Sequence, residues 1–309
     1  MQKITPFLWF DNNAKEAADF YISIFKDSEI TGINYYGESG GKISEKPKGS
    51  VMIVSFNLQG QDFIALNGGP YFSFSPSISF FVNCQTDQEL DELWNNLSSD
   101  GGTILMKLDK YPFRERFGWL SDKYGVSWQL TLTNTSQKQK ITPFLLFSGD
   151  HYGKAEEALN YYISLFENSH IINIDYSTSG KRGEGGGEKD KSKGVVKHAV
   201  FSLNGQEFMV SESNAEHSFS FTPAISFVVN CETQDEIDYF WGKLLAGGKT
   251  EQCGWLSDRY GVSWQIVPIV LGQMMSDKDT EKSERVMKAM LQMKKIIIKD
   301  LQQAYELQQ

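Results

Sequence analysis

The stretch GWLSDKYGVSWQ, Gly118 to Gln129, recurs as GWLSDRYGVSWQ, Gly254 to Gln265, and this pair decides how the chain is read. Working outward, the blocks that precede it also recur in the same order. FSFSPSISFFVNCQT (Phe72 to Thr86) returns as FSFTPAISFVVNCET (Phe219 to Thr233), and FNLQGQDF (Phe56 to Phe63) as FSLNGQEF (Phe201 to Phe208). FYISIF (Phe20 to Phe25) returns as YYISLF (Tyr161 to Phe166), and ITPFLWF (Ile4 to Phe10) as ITPFLLF (Ile141 to Phe147). Co-linear blocks of this kind mark an internal duplication, the feature to seek before any other. The polar run Asn134 to Lys140 reads as the linker. Copy two carries four extra residues near Gly149 and eleven fewer before Gly254.

Each copy reads as a strand, a helix and further strands, followed by the same series again. Ile4 to Phe10 is an apolar strand, and Asp11, Asn12 and Asn13 offer caps for a helix whose buried face is Ala14, Ala17, Ala18, Tyr21 and Phe25. Val51 to Leu58 and Gln61 to Leu66 are strands meeting at Gln59-Gly60. The matching Asn204-Gly205 is a strong hairpin signal, because both turn positions need positive φ. Ser77 to Asn83 is a strand. Thr86 with Glu89, and Thr233 with Glu236, form capping boxes for a second helix, which ends at Gly101-Gly102 or Gly247-Gly248. The fold class is therefore α+β: two tandem domains, 1–134 and 141–272, each of two βαβββ modules, and a helical tail over 273–309. The tail holds five of the nine methionines, with Val286, Met290 and Met293 on one stripe. Such a stripe needs a packing partner, since most helical stability comes from tertiary contact.

The bulk numbers exclude several classes. With 30 basic and 39 acidic residues, a net charge of -9 and no dense basic stripe, the chain is a poor nucleic-acid ligand. The stretch Lys181 to Lys193 mixes lysines with glycines, Glu184, Glu188 and Asp190, and reads as a solvated loop. No apolar run has transmembrane length, and the first residues lack the core of a signal peptide. Together with three cysteines, Cys84, Cys231 and Cys253, this gives an expected cytoplasmic location, no membrane partner and no disulfide framework.

ITPFLWF with DNNAKEAADFY, the ALNGGP segment with the FSFSPSISFFVNC run, and GWLSDKYGVSWQ resemble the PhnB-like branch of the vicinal oxygen chelate (glyoxalase) superfamily. The resemblance spans both copies and reaches ERVMKAMLQMKKI, Glu284 to Ile296. It implies paired βαβββ modules around a curved sheet with a cleft. Single-copy relatives are expected to pair, so a duplicated chain is expected to form the pair internally, with further oligomerisation left open. Many members of the branch carry the label of a demethylubiquinone methyltransferase. No glycine-rich loop follows the first strand to receive S-adenosylmethionine, and the strand order is not that of a Rossmann-type methyltransferase.

Superfamily enzymes usually hold a divalent metal through His, Glu or Gln on four strands. Copy one has no histidine, and Gln129 and Gln265 stand where such an enzyme would carry a Glu ligand. No metal and no cofactor are therefore expected. Copy two holds His151, His170, His198 and His217. Counting back from Asn204-Gly205 sets His198 opposite Ser211 and near Glu212, with His217 in the following loop. These read either as loop-side histidines or as one cleft mouth. The expected ligand-binding cleft takes Asn67, Phe72, Trp128 and Gln129 from copy one, and His198, Glu212, His217, Trp264 and Gln265 from copy two. Aromatic residues supply apolar area and amides orient a ligand. The expected partner is a small, partly apolar molecule bound without metal. A metal-assisted lyase, isomerase or dioxygenase sited in copy two, and a non-catalytic scaffold, are the alternatives.

Overall fold

A computed structural model describes residues 2–135, 138–177 and 194–307. The stretch 181–193 and linker residues 136–137 lie outside them. Copy one begins β1 (Ile4–Phe10), α1 (Ala14–Ile24), β2 (Ser28–Tyr35), a short α2 (Glu38–Ser44), β3 (Val51–Leu58) and β4 (Gln61–Asn67). It continues β5 (Ile78–Cys84), α3 (Asp87–Ser98), β6 (Thr103–Tyr111), β7 (Arg114–Ser121) and β8 (Ser127–Leu132). Copy two repeats this as β9 (Ile141–Phe147), α4 (Ala155–Leu165), β10 (His170–Tyr176), β11 (Val196–Leu203), β12 (Gln206–Glu212), then β13 (Ile225–Cys231), α5 (Gln234–Leu244), β14 (Lys249–Thr250), β15 (Trp255–Ser257) and β16 (Ser263–Pro268). The tail forms α6 (Ile269–Met275), α7 (Thr280–Leu291) and α8 (Ile298–Glu306).

Local chemistry makes these elements as the sequence suggests. Asn204 and Gly205 both have positive φ, 50° and 80°, as the tight hairpin requires. Thr86 and Thr233 accept hydrogen bonds from the amides of Glu89 (3.1 Å) and Glu236 (3.2 Å). On the helix side of the first module, Tyr21 stacks on Phe56 and Phe56 on Phe63, with centroids 6.2 and 5.3 Å apart.

The compact bodies cut across the sequence copies. One eight-stranded sheet runs β14-β15-β16-β13-β1-β4-β3-β2, and the other runs β10-β11-β12-β9-β5-β8-β7-β6. Unit 1 is Met1–Ser73 with Thr222–Gln309, and unit 2 is Phe74–Phe221. Each unit joins one module from each copy. The joints are antiparallel, Phe7 facing Ser226 between β1 and β13, and Phe144 facing Ser79 between β9 and β5. A lysine at the start of one copy ties each joint to the other copy's helix: Lys3 to Glu236 at 2.8 Å in unit 1, and Lys140 to Glu89 at 2.5 Å in unit 2. The ranges 1–134 and 141–272 thus mark the duplication, while the sheets are intramolecular pairings of its halves. Among the described residues, no helix is long and apolar enough to cross a membrane.

Candidate functional site

Register assigns every strand residue to one of two faces. In unit 2 the face away from the helices carries Ser79, Phe81 and Asn83 on β5, Gln129 and Thr131 on β8, and Phe117 and Trp119 on β7. It also carries Thr142, Phe144 and Leu146 on β9, Met209 on β12, and His198 and Val200 on β11. Phe81, Phe117, Phe144, Leu146 and Met209 form a buried apolar floor, with Trp119, Val200 and Phe219 packed against it. Beside this floor opens a cavity of about 500 Å³. Its wall includes Phe81, Asn83, Arg114, His198, Val200 and Met209. Phe113 and Ile172, 47% and 48% exposed, rim it with large apolar side chains.

The polar groups in that wall are available to a ligand. Arg114 donates only to the neighbouring Phe113 carbonyl (3.2 Å) among the described residues. His198 is held below its ordinary pKa by burial, and next by the positive charge of Arg114, with Asp175 opposing. Asn83 is only 7% exposed; its backbone amide donates to the Lys140 carbonyl (3.0 Å), and its side-chain amide makes no hydrogen bond among the described residues. Its counterpart Asn230, by contrast, donates to the Gln2 carbonyl (2.8 Å) and the Thr5 hydroxyl (3.1 Å). In unit 2 the hydroxyl equivalent to that of Thr5, on Thr142, is buried without a partner.

The same face of unit 1 is covered by the tail. Val267 of β16 packs against the cluster of Leu271, Met274, Val286, Ile296 and Leu301, together with Met290 and Met293. At the other end of the sheet, Ile53 and Leu66 pack against the cluster holding Met287. The backbone joins in, as Cys253 and Gly254 donate to the carbonyls of Met293 (2.8 Å) and Lys294 (2.7 Å). Here copy two is eleven residues shorter, ten of them in the long β6–β7 hairpin of copy one, and the tail fills the gap. The repeat alignment sets Ile53, Leu66 and Val267 opposite His198, Ser211 and Thr131. Unit 1 is apolar at these three strand positions, which pack against the clusters holding tail residues, and unit 2 is polar at all three.

The expected cleft residues therefore part company. Asn67, Phe72, Trp264 and Gln265 fall in unit 1, and Trp128, Gln129, His198, Glu212 and His217 in unit 2. Of these, His198 lines the cavity. Gln129 lies on the open face and donates to Ser79 Oγ (2.9 Å), as Gln265 does to Ser226 Oγ (3.0 Å). His217 stacks on Phe219 at 4.6 Å and shares a 2.8 Å hydrogen bond with Ser213 Oγ. Phe72 packs edge-on to Trp9, centroids 4.9 Å apart.

Four residues sit on the helix side instead. Trp128 and Trp264 are 1% and 2% exposed, and each indole donates to the aspartate of its own turn, Asp122 or Asp258, at 2.8 Å. Those carboxylates also accept from the turn amides of Tyr124 (2.9 Å) and Tyr260 (2.8 Å). Asn67 accepts from the Ala14 amide (2.8 Å), and Glu212 from the Ala155 amide (2.8 Å), each at the start of its copy's first helix. Sequence reasoning missed Arg114 and Asn83. Comparing Asn83 with Asn230 gives no signal, because the residue is the same in both.

The superfamily's metal does not fit this floor. The side chains beside Gln129 on this face are Ser79, Phe81 and Trp119, and among the described residues no three of His, Cys, Asp and Glu come together. The thiols of Cys84 and Cys231 are pushed up to about 12 by burial, so neither is a ready thiolate.

Paired βαβββ modules joined in one mixed sheet define a glyoxalase-fold protein, and known structures agree. Glyoxalase I from Zea mays is similar over 89% of this chain and 95% of its own, with a TM-score of 0.55 at 8% identity, a likeness of fold alone. The family model described as 3-demethylubiquinone-9 3-methyltransferase matches residues 2–131 and again 139–267, and the chain belongs to that PhnB-like family. A putative 3-demethylubiquinone-9 3-methyltransferase, PhnB protein, from Bacillus cereus is 46% identical over 43% of this chain and 100% of its own, with a TM-score of 0.39. A protein from Staphylococcus aureus is 37% identical over 43% of this chain and 97% of its own, with a TM-score of 0.18. No curated protein matches.

Proposed function

We propose that the chain binds one small, partly apolar molecule in the open cleft of unit 2, without a metal, and that unit 1 serves as a scaffold closed by the tail. The observation that carries this reading is the exchange of Ile53, Leu66 and Val267 for His198, Ser211 and Thr131 on equivalent faces. One face has the apolar surface that a permanent occupant needs. The other keeps polar groups beside an apolar floor, the composition of a small-molecule site. Exposed apolar side chains at the rim, Phe113 and Ile172, support the same reading.

The architecture does not suit the methyl transfer for which the family is described. Each sheet mixes parallel pairs such as β1–β4 with antiparallel ones such as β1–β13. A doubly wound sheet with a glycine-rich phosphate loop, the usual nucleotide-cofactor frame, is a different construction. Metal-assisted lyase or dioxygenase chemistry would need ligands that the floor around Gln129 does not offer. The test is ligand screening by thermal shift on the full chain, followed by Val200→Trp to fill the cleft. Loss of the hits in that variant supports the reading. Hits that survive it refute the location, and bound metal in stoichiometric amount refutes the metal-free part.

A further inference from the structure

We infer that the molecule taken by the unit 2 cleft is an organic acid, its anionic group received by Arg114, His198 and the Asn83 amide, and its apolar body laid on Phe81, Val200 and Met209. This inference rests on the reading of unit 2 as the binding unit and adds the chemical class of the ligand.

Three hydrogen-bond donors of different kinds line one cavity, and none has a side-chain partner among the described residues. A guanidinium offers a planar fork matched to a carboxylate. An imidazole adds an N–H, with a full charge once protonated. A side-chain amide adds both a donor and an acceptor, and that of Asn83 has no partner among the described residues. In unit 1 the equivalent amide, on Asn230, is answered by the chain itself. In unit 2 the chain leaves it facing the cavity.

The negative groups nearby do not cancel this arrangement. Glu115 is paired with Lys110 at 2.8 Å, both exposed. Asp175 lies across from His198 on the edge strand β10 and is outside the cavity wall. Glu207 is in the wall, two residues along β12 from Met209, and faces Ser202 rather than His198. It suits a hydroxyl or amino group at the far end of the same ligand. The apolar rim sets the other requirement: a bare inorganic anion would leave Phe113 and Ile172, about half exposed, uncovered.

The experiment titrates the full chain with short phenylalkanoates and with the matching phenylalkanols, which keep the apolar body and lose the charge. The acids are expected to bind about tenfold or more tighter than the alcohols, the scale of a charge-assisted hydrogen bond. Arg114→Gln should remove that difference while changing alcohol binding less than about twofold; Arg114 is exposed, so the variant should fold. Acids and alcohols binding alike would overturn the anion assignment and leave the cleft reading standing. Acids that bind tightly and are indifferent to both Arg114→Gln and Val200→Trp would overturn the cleft itself.

Discussion

Asn67 and Glu212 hold the same post in the two copies: each side chain accepts the first free amide of a helix, from Ala14 and Ala155 at 2.8 Å. Asn67 also donates to the Val51 carbonyl (2.9 Å), and the second oxygen of Glu212 accepts from the Val196 amide (2.8 Å). Each therefore clamps a helix N-terminus to the neighbouring strand. Their hydrogen bonds lie on the helix side of the sheets, so their expected effect is on stability. Asn67→Ala and Glu212→Ala should each cost about 1–2 kcal/mol, the usual loss when a cap is removed. Urea unfolding measures this, and unchanged ligand affinity in the folded variants is the second expected result.

The indole–aspartate pairs make a parallel prediction. Trp128→Phe keeps most of the apolar volume and removes the indole hydrogen bond to Asp122, whose other oxygen still serves the turn. A hydrogen bond to a charged group contributes about 1.5–3 kcal/mol. A drop in melting temperature is expected with no change in ligand binding, since the ring lies on the helix side.

The tail should answer to the residues beneath it. Leu301→Ala, at a fully buried position, should cost about 2–5 kcal/mol. Ile53→Ser should also destabilise, by about 1–2 kcal/mol for a partly buried side chain, and should raise binding of a hydrophobic dye as the tail loosens. His198→Ser at the equivalent place in unit 2 should do neither. Equal effects of Ile53→Ser and His198→Ser on stability and dye binding would remove the contrast between the two faces.

The pH dependence of acid binding has a definite sign. Free His198 sits below its ordinary pKa, depressed first by burial and then by Arg114, against the pull of Asp175. A bound carboxylate favours the protonated ring and raises that pKa, so binding takes up a proton. Affinity for the acids should rise as pH falls from about 8 toward the histidine range and level off below the free value. The alcohols should show no such rise, nor should the acids in His198→Gln. In the unliganded protein the same depression withdraws stability as pH falls below the ordinary histidine value, because the unfolded chain binds the proton more readily.

Thiol chemistry gives a simple check on burial. Cys84 and Cys231 are 0% exposed with pKa pushed up to about 12, and burial also raises Cys253. A thiol-specific reagent at neutral pH should react slowly with native protein and with all three cysteines only after unfolding.

Much of this was legible in the chain itself. The repeat blocks, the Asn204-Gly205 turn and the two capping boxes settled the element order. Counting from that turn also set His198 opposite Ser211, as the register of β11 on β12 requires. Two things were not legible. Nothing local tells β1 to pair with β13 rather than β5, because both modules present the same apolar first strand. For that reason Gln129 and His198, assigned to different copies, share unit 2. The second is the facing of single residues. Asn67 alternates with Leu66, and a step of one moves a side chain across the sheet. Its parity with Phe63 and Ala65, both packed on the helix side, was the available signal. The three exchanges that separate the open face from the covered one were also present in the repeat, and became meaningful only once the tail was seen to lie on one of them.

The central claim is one working site per chain, in unit 2. Calorimetric titration of a bound organic acid measures this most directly when wild type, Val200→Trp in unit 2 and Ser55→Trp at the equivalent place in unit 1 are compared. One equivalent bound by wild type, none by Val200→Trp and one by Ser55→Trp are expected from this claim. Two equivalents in wild type, or binding lost in Ser55→Trp and kept in Val200→Trp, would contradict it.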